Sequence, residues 1–222
     1  MKKKLIIWDF DGVIADTEKL WLKNRQALLK EYIGVDWDWE TVEHHLKGMS
    51  DITKREVLDS LGIVTDDYFW EKSIEMDRTT MKEIGFTLTD GIEDIFKLPF
   101  KQCIATGGMK EKTAIKIQTV GIRNYFPEEI VFTADMVEKG KPDPDLFLLA
   151  CKTFNEEPSN AIVIEDSFAG LTAAIRAGCL PICYFDGIIN EDDKKIQQMR
   201  EIGVKYIFNN MKDIKEFILT LF

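Results

Sequence analysis

The chain has 222 residues, of which 45% are hydrophobic and 31% are charged, and its formal net charge is -10. This composition is typical of a globular protein with a buried core, and the length suits one domain with an insertion or two small domains. The negative charge argues against nucleic acid or an anionic membrane as the partner, and no apolar stretch approaches the roughly 20 residues of a membrane-spanning helix.

The first predicted element is a strand at residues 5–8, where an unbroken apolar run meets Asp9. Such a run is typical of a strand buried on both faces of a parallel sheet. It is too short for the apolar region of a signal peptide. The four cysteines have a spacing that matches no zinc or redox motif, so we expect reduced thiols and a cytoplasmic protein.

The segment that follows has helical periodicity and no convincing strand. Helical segments are predicted at residues 18–32, 39–46, 52–61 and 67–84. We therefore predict a four-helix cap domain at residues 17–88. It is inserted after the first strand of a core domain that comprises residues 1–16 and 89–222.

From residue 89 onward, apolar runs alternate with helical patterns. Further strands are predicted at residues 102–105, 130–132, 161–164, 181–185 and, more weakly, 205–208. Further helices are predicted at residues 91–97, 110–120, 145–154, 169–177 and 213–221. Strands that alternate with helices imply right-handed crossovers, so the predicted fold class is α/β, with an open, Rossmann-like parallel sheet.

Residues suited to chemistry follow four of the predicted strands: Asp9 and Asp11, Thr106 and Gly107, Lys141, and Glu165 and Asp166. Because ligands bind beyond the carboxyl ends of parallel strands, we expect these residues to meet at one edge of the sheet. Converging carboxylates repel one another unless a cation lies between them, and ligation by oxygen alone suits Mg²⁺. A lysine, a hydroxyl and glycine amides beside the metal would hold a phosphate group.

Asp9 and Asp11 stand two residues apart, and Gly12 allows the chain to turn directly after them. One carboxylate can then attack phosphorus in line while the other reaches the leaving-group oxygen. We predict that Asp9 is a nucleophile that forms an aspartyl-phosphate. Asp11 is predicted to protonate the leaving oxygen and then to deprotonate the attacking water.

Each of these residues also has an ordinary explanation. Taken alone, Asp9 and Asp11 fit solvated loop carboxylates. Thr106 alone fits a helix N-cap, and Lys141 alone fits a surface lysine. The combination favours a functional site, because all of them stand at predicted strand ends or in the loop that follows a strand.

These motifs resemble those of the haloacid dehalogenase superfamily, in its phosphatase branch. Residues 9–18, DFDGVIADTE, are similar to the family's opening motif. Thr106 matches the second motif, Lys141 within KGKPDPD matches the third, and residues 165–170, EDSFAG, match the fourth. The order and spacing agree along the whole chain, and the helical insertion lies where that branch has its four-helix cap.

The resemblance implies a role for each acidic residue. Asp9 would be the nucleophile and a Mg²⁺ ligand, and Asp11 would be the acid and base, with its backbone carbonyl on the metal. Asp166 would be a further metal ligand, and Glu165 would bond to the metal directly or through water.

The resemblance also implies how the substrate is held. Thr106 and Gly107 would bind the phosphate, and Lys141 would neutralise it. Residues 46–50, LKGMS, look like the family's cap loop that closes over the substrate, so Lys47 and Gly48 are expected to contact it.

The subgroup that the chain resembles holds β-phosphoglucomutase and sugar-phosphate phosphatases, including a 6-phosphogluconate phosphatase. Where the mutase has a histidine in the first cap helix, this chain has Trp21, and where it has an arginine after the cap loop, this chain has Asp51. A mutase must hold both phosphorylated ends of a sugar, so the loss of that arginine argues against mutase activity.

We therefore predict a Mg²⁺-dependent phosphatase of small phosphorylated metabolites, with sugar or sugar-acid phosphates as the expected substrates. A β-phosphoglucomutase-like phosphotransferase is the alternative enzyme. A phosphometabolite-binding protein without activity is the non-enzymatic alternative. We expect a monomer whose partner is the small phosphorylated substrate, with no nucleic-acid or membrane partner.

Overall fold

The structure of the protein is a computed structural model that describes residues 3–46, 51–83, 85–190 and 193–222. The chain divides into two compact units. The core unit joins the N-terminal segment up to Ala15 with residues 87–222, and the helical unit comprises residues 16–86. Among the described residues, no helix is long and apolar enough to cross a membrane.

The core unit is built on one sheet. Its strands are β1 Leu5–Trp8, β2 Lys101–Thr106, β3 Val131–Thr133, β4 Ala161–Glu165, β5 Leu180–Tyr184 and β6 Tyr206–Phe208. The strand order is β3-β2-β1-β4-β5-β6, and every neighbouring pair is parallel. The predicted α/β fold with a parallel sheet is confirmed, and each strand lies at a predicted apolar run.

The central strand β1 explains why its sequence is apolar without interruption. Leu5 and Ile7 belong to a cluster with apolar side chains of helices on one face of the sheet. Trp8 faces the other side, where its ring lies 5.4 Å from that of Phe96 and its indole nitrogen donates to Gln102 at 2.9 Å. Both faces of β1 are therefore covered, as in other parallel sheets.

The helical unit contains α1 Glu18–Leu28, α2 Trp39–Leu46, α3 Asp51–Ser60 and α4 Asp67–Glu83. The helix predicted for residues 18–32 changes character part-way. After α1 the chain continues as a π-helical turn over Leu29–Ile33, and Gly34 ends it in the left-handed conformation at a φ of 80°. The unit has its own apolar core: Leu22, Leu28, Leu29, Val42, Leu46, Leu58 and Phe69.

The helices of the core unit follow the strands. They are α5 Glu93–Phe96, α6 Lys110–Thr119, α7 Asp145–Thr153, α8 Phe168–Ala177, α9 Lys194–Glu201 and α10 Met211–Leu221. The chain passes from β1 to β2 and β3 on one side of β1 and then crosses to β4, β5 and β6 on the other side. The carboxyl end of β1 is therefore at a topological switch point of the sheet. Ligands of doubly wound proteins bind at such a point.

Candidate active site

The carboxyl end of β1 fixes the backbone of Asp9. Its amide donates to the carbonyl of Ile164 at 2.9 Å, which extends the parallel pairing of β1 with β4. Trp8 stands opposite Ile104 of β2 and Ile164 of β4, so Asp9 lies level with the ends of both neighbours. Only 6% of Asp9 is exposed, and the side chain is therefore held inside the core unit at the switch point.

Lys141 joins two of these strand ends. Its Nζ donates to Oδ1 of Asp9 at 2.5 Å and to Oε1 of Glu165 at 2.8 Å. The loop that carries Lys141 is tied to α8, because Arg176 donates to the carbonyl of Pro142 at 3.0 Å. The lysine is therefore placed by the fold between two carboxylates.

Burial and charge together set the protonation of this pair. Burial raises the pKa of Asp9 to about 7; Lys141 opposes the shift, and the carboxylates of Glu165 and Asp11 add to it. Burial also acts to lower the pKa of Lys141, but Asp9 and Glu165 outweigh it, so the pKa of the ammonium is raised. A second cation beside Asp9 would favour its ionised form, because opposite charge at short range stabilises a carboxylate.

Glu165 has protein donors on both carboxylate oxygens. Besides Lys141 on Oε1, the backbone amide and the hydroxyl of Ser167 donate to Oε2 at 2.6 and 2.8 Å. A Cβ on Gly170 would lie 1.6 Å from Oε1, so glycine lets α8 begin directly against the carboxylate. Glu165 thus holds Lys141 and the start of α8 in place, and its contact with the metal, which the resemblance implied, stays a prediction.

Asp166 lies against the turn that follows Asp11. Gly12 has a left-handed φ of 82°, and a Cβ there would lie 2.0 Å from Oδ2 of Asp166. The missing side chain therefore lets the Asp166 carboxylate approach the end of β1. Carboxylate and carbonyl oxygens from adjoining strand ends are the donors that Mg²⁺ prefers, so the residues present fit this ion.

The predicted metal set has two side-chain carboxylates, Asp9 and Asp166, and the backbone carbonyl of Asp11. Within the described residues, no group of three histidine, cysteine, aspartate or glutamate side chains is arranged to hold a metal ion. A site of the predicted kind would complete its coordination with water and a phosphate oxygen, as Mg²⁺ sites usually do.

Asp11 pairs with a different lysine. The Nζ of Lys116 lies 2.5 Å from Oδ1 and 2.6 Å from Oδ2 of Asp11. Lys116 belongs to α6, and its ammonium also lies 5.6 Å from the ring centroid of Phe10. The two aspartates at the end of β1 are therefore each held by a lysine from a distant segment.

The loop after β2 offers a hydroxyl beside open backbone. Thr106 is buried, and its Oγ1 accepts a hydrogen bond from the amide of Gly108 at 3.1 Å. Gly107 is exposed, and no atom of the described residues lies within 4 Å of the position that its Cβ would occupy. Bare backbone of this kind allows close approach of an anion.

The sequence profile of the haloacid dehalogenase-like hydrolases matches residues 6–183. The chain belongs to this family. The resemblance read from the four motifs is thereby confirmed, and the match includes the segments that carry all the residues described above.

Two relatives of this hydrolase have names that describe an activity. A phosphorylated carbohydrates phosphatase from Thermotoga maritima is 26% identical over 180 residues, which cover 78% of this chain and 81% of that protein. A 6-phosphogluconate phosphatase from Escherichia coli K12 is 24% identical over 187 residues, which cover 81% of each chain. The family relationship therefore extends over most of the length.

A solved structure described as a putative β-phosphoglucomutase from Thermotoga maritima superimposes on this hydrolase with a TM-score of 0.81. The sequence identity is 22%, and the superposition covers 99% of this chain and 100% of that one. At this identity the likeness shows a shared fold, and it does not distinguish a mutase from a phosphatase.

The predicted contacts of the helical unit are described in part. Lys47 and Gly48 lie outside the described residues, so their predicted contact with substrate stays a prediction. Asp51 accepts a bond from Arg25 at 3.2 Å, and Trp21 packs edge-on against Phe86 at a centroid distance of 5.4 Å. Both departures from the mutase pattern thus have partners within the helical unit.

Lys116 is the contact that the sequence analysis of this hydrolase missed. Thr113, Lys116 and Ile117 are the buried residues of α6 and have the i, i+3, i+4 spacing of one helix face. A lysine on the apolar face of α6 could have predicted an acidic partner, because lysine is seldom buried unless its charge is paired.

Proposed function

We propose that this hydrolase is a magnesium-dependent phosphatase of small phosphorylated metabolites that works through an aspartyl-phosphate on Asp9. The observation that carries the proposal is the buried pair of Asp9 and Lys141 at the switch point of the sheet. Phosphoryl transfer depends on a nucleophile in a fixed direction and on positive charge beside the transferred group. The pair supplies both, and the names of the two relatives support this reaction class.

The reaction has two proposed halves. In the first, an oxygen of Asp9 attacks phosphorus, the bond from phosphorus to the leaving oxygen breaks, and that oxygen takes a proton from the Asp11 carboxyl. In the second, Asp11 removes a proton from water, the water oxygen bonds to phosphorus, and the bond from phosphorus to Asp9 breaks. The products are the free alcohol and inorganic phosphate, and both aspartates return to their starting states.

The phosphate oxygens have three proposed donors. Lys141 would neutralise one of these oxygens while Glu165 keeps the ammonium in place. The hydroxyl of Thr106 and the amide of Gly107 would donate to another, since the loop after β2 presents both groups. Contacts fixed before the substrate arrives cost no reorganisation during the reaction, which is the source of electrostatic catalysis.

Asp9, Asp166 and the backbone carbonyl of Asp11 would hold the Mg²⁺. When bound, this ion supplies positive charge that stabilises the transferred phosphoryl group. The close approach of Asp166 to Gly12 supports the assignment, because it brings the second carboxylate to the end of β1.

We further propose sugar or sugar-acid phosphates as the substrates, since the relatives are named for phosphorylated carbohydrates and for 6-phosphogluconate. The cytoplasm is the proposed compartment. All four cysteines are free and buried, as expected of thiols that are kept reduced.

The test is a phosphate-release screen across sugar phosphates, polyol phosphates, nucleotides and pyrophosphate, with Mg²⁺ and with EDTA. We expect release that requires Mg²⁺ and is fastest with sugar phosphates. Asp9→Asn should abolish it and should leave no acid-stable phosphoprotein after rapid quenching. Asp90→Asn, at an exposed aspartate of the same unit, is the matched control and should keep full activity. Full activity of Asp9→Asn, or no release from any compound, contradicts the proposal.

A further inference from the structure

Lys116 is a buried lysine that forms no part of the four sequence motifs. Only 9% of its side chain is exposed. A lysine on the inner face of a helix usually extends its ammonium outward to water. Here the ammonium turns inward and contacts both carboxylate oxygens of Asp11, across 105 residues of sequence. The fold, and not the local sequence, brings the two groups together.

The geometry of this pair differs from that of Asp9 and Lys141. The Lys141 ammonium donates one hydrogen bond to a single oxygen of Asp9 and another to Glu165. Lys116 instead bonds to both oxygens of Asp11, which fixes the direction of the carboxylate as well as its position. Lys116 is buried but 36% of the Asp11 side chain is exposed, and such a partly buried ion pair adds little net stability, because desolvation and solvent screening offset the attraction. The contact between Lys116 and Asp11 is therefore better explained by the orientation that it gives to the Asp11 carboxylate than by a gain in stability.

We propose that Lys116 is a positioning residue that directs the Asp11 carboxylate toward the leaving oxygen. The inference rests on the proposed function, in which Asp11 is the acid and base. As the bond from phosphorus to the leaving oxygen breaks, the proton passes from the Asp11 carboxyl to that oxygen. It is replaced by a proton from water when the bond from phosphorus to Asp9 breaks. Lys116 keeps its own protons throughout.

The need for a directed acid depends on the leaving group. An alkyl alcohol leaves as a strongly basic oxygen and needs the proton, whereas p-nitrophenolate is stable enough to leave without one. If the Asp11 carboxyl loses its orientation, the hydrolysis of an alkyl phosphate should therefore slow far more than the hydrolysis of p-nitrophenyl phosphate. The value of kcat/KM reports this step, because it includes every event up to the first irreversible bond cleavage.

The experiment measures kcat/KM for glucose 6-phosphate and p-nitrophenyl phosphate in Lys116→Met, Lys116→Arg and Lys112→Met. We expect Lys116→Met to lose at least about tenfold more on glucose 6-phosphate than on p-nitrophenyl phosphate, since acid–base catalysis contributes about 100-fold or more. Lys116→Arg keeps a cation and should recover part of the difference. Lys112 is exposed one turn earlier on α6, so Lys112→Met is the control and should change neither value.

An equal loss on both compounds, or no loss at all, would overturn the inference. A crystal structure of the Lys116→Met variant gives a second test, which does not require that the protein be active. We expect the Asp11 carboxylate to leave the direction it has here, and an unchanged Asp11 would also overturn the inference. If the wild-type protein releases phosphate from these two compounds and from every compound of the screen at no measurable rate, the proposed function fails. The crystal structure then still decides whether Lys116 directs Asp11.

Discussion

The Nζ atom of Lys141 lies 2.5 Å from Oδ1 of Asp9, and only 8% of each side chain is exposed. The ammonium partly compensates for the burial of Asp9, and in the proposed function it also neutralises the phosphate of the substrate. In the proposed reaction, Asp9 loses its negative charge when its oxygen forms the acyl-phosphate bond to phosphorus. Glu165 then still holds the lysine at 2.8 Å, so the cation stays in place through both halves of the proposed reaction.

Lys141→Met should remove this cation, so that Asp9 and Glu165 lose the ammonium to which both are bonded. We expect kcat/KM for phosphate release to fall at least about 100-fold, as for other groups that stabilise a transition state electrostatically. The free energy of unfolding should fall by about 3 kcal/mol, because removal of one partner leaves buried carboxylates unpaired. Steady-state kinetics and urea unfolding measure the two effects. Lys139→Met, at an exposed lysine of the same loop, should show neither.

Binding of Mg²⁺ should be linked to the proton on Asp9. Burial raises the pKa of this carboxyl to about 7 in the metal-free protein, so below that pH the ion must displace a proton and above it need not. The apparent affinity should therefore rise with pH up to about 7 and level off beyond it. Calorimetry in buffers of different ionisation enthalpy should show about one proton released per ion at pH 6 and almost none at pH 8. Equal release at both pH values, or the same profile in Asp9→Asn, would refute the linkage.

The sheet could be predicted from sequence because its signal is local. The run at β1 is apolar at every position, and polar residues follow it at once, which marks both a doubly covered strand and its end. The change from α-helix to a π-helical turn at Leu29 carries no such signal. Leu29 lies in the apolar core of the helical unit and Ile33 packs against it, and these contacts are visible only in three dimensions.

The candidate site was predictable as a set of residues but not as a set of contacts. The topology of a parallel sheet places strand ends at one edge, which is why Asp9 and Lys141 were expected to meet although β2 lies between β1 and β3. Which lysine pairs with which carboxylate does not follow from the topology, because Lys116 reaches Asp11 from a helix that the motifs do not include. The donors to Glu165, Lys141 and Ser167, are likewise visible only in three dimensions, and its predicted contact with the metal stays a prediction.

Gly12→Ala should impair metal binding through Asp166. Alanine at a left-handed φ costs about 1–2 kcal/mol wherever it stands, and here its Cβ would also lie 2.0 Å from the Asp166 carboxylate. We expect Mg²⁺ affinity to fall about 10- to 100-fold, as when the support of a metal ligand is disturbed.

Gly121→Ala separates the two effects of that substitution. Gly121 has a φ of 74°, and no atom in the described part of the chain lies within 4 Å of its would-be Cβ. The control should therefore share the loss of stability and keep wild-type Mg²⁺ affinity, as measured by calorimetry. Equal Mg²⁺ affinity in the two variants would show that metal binding by Asp166 does not depend on the missing side chain at Gly12.

Gly170→Ala should destabilise the protein although alanine is the better helix former. In an exposed helix this change stabilises by about 1 kcal/mol. In α8 the new Cβ would lie 1.6 Å from Oε1 of Glu165, so the carboxylate must leave Lys141 and Ser167. We expect a lower melting temperature and at least about a tenfold loss of kcat/KM, since Lys141 loses the group that holds it in place.

A double-mutant cycle with Glu165→Ala tests this explanation, because the clash disappears when the carboxylate is removed. In the Glu165→Ala background, Gly170→Ala should cost no stability and should return the small gain expected of alanine in a helix. If the cost of Gly170→Ala is the same in both backgrounds, the steric contact with Glu165 is not its cause, and glycine at this position serves the start of α8 in another way.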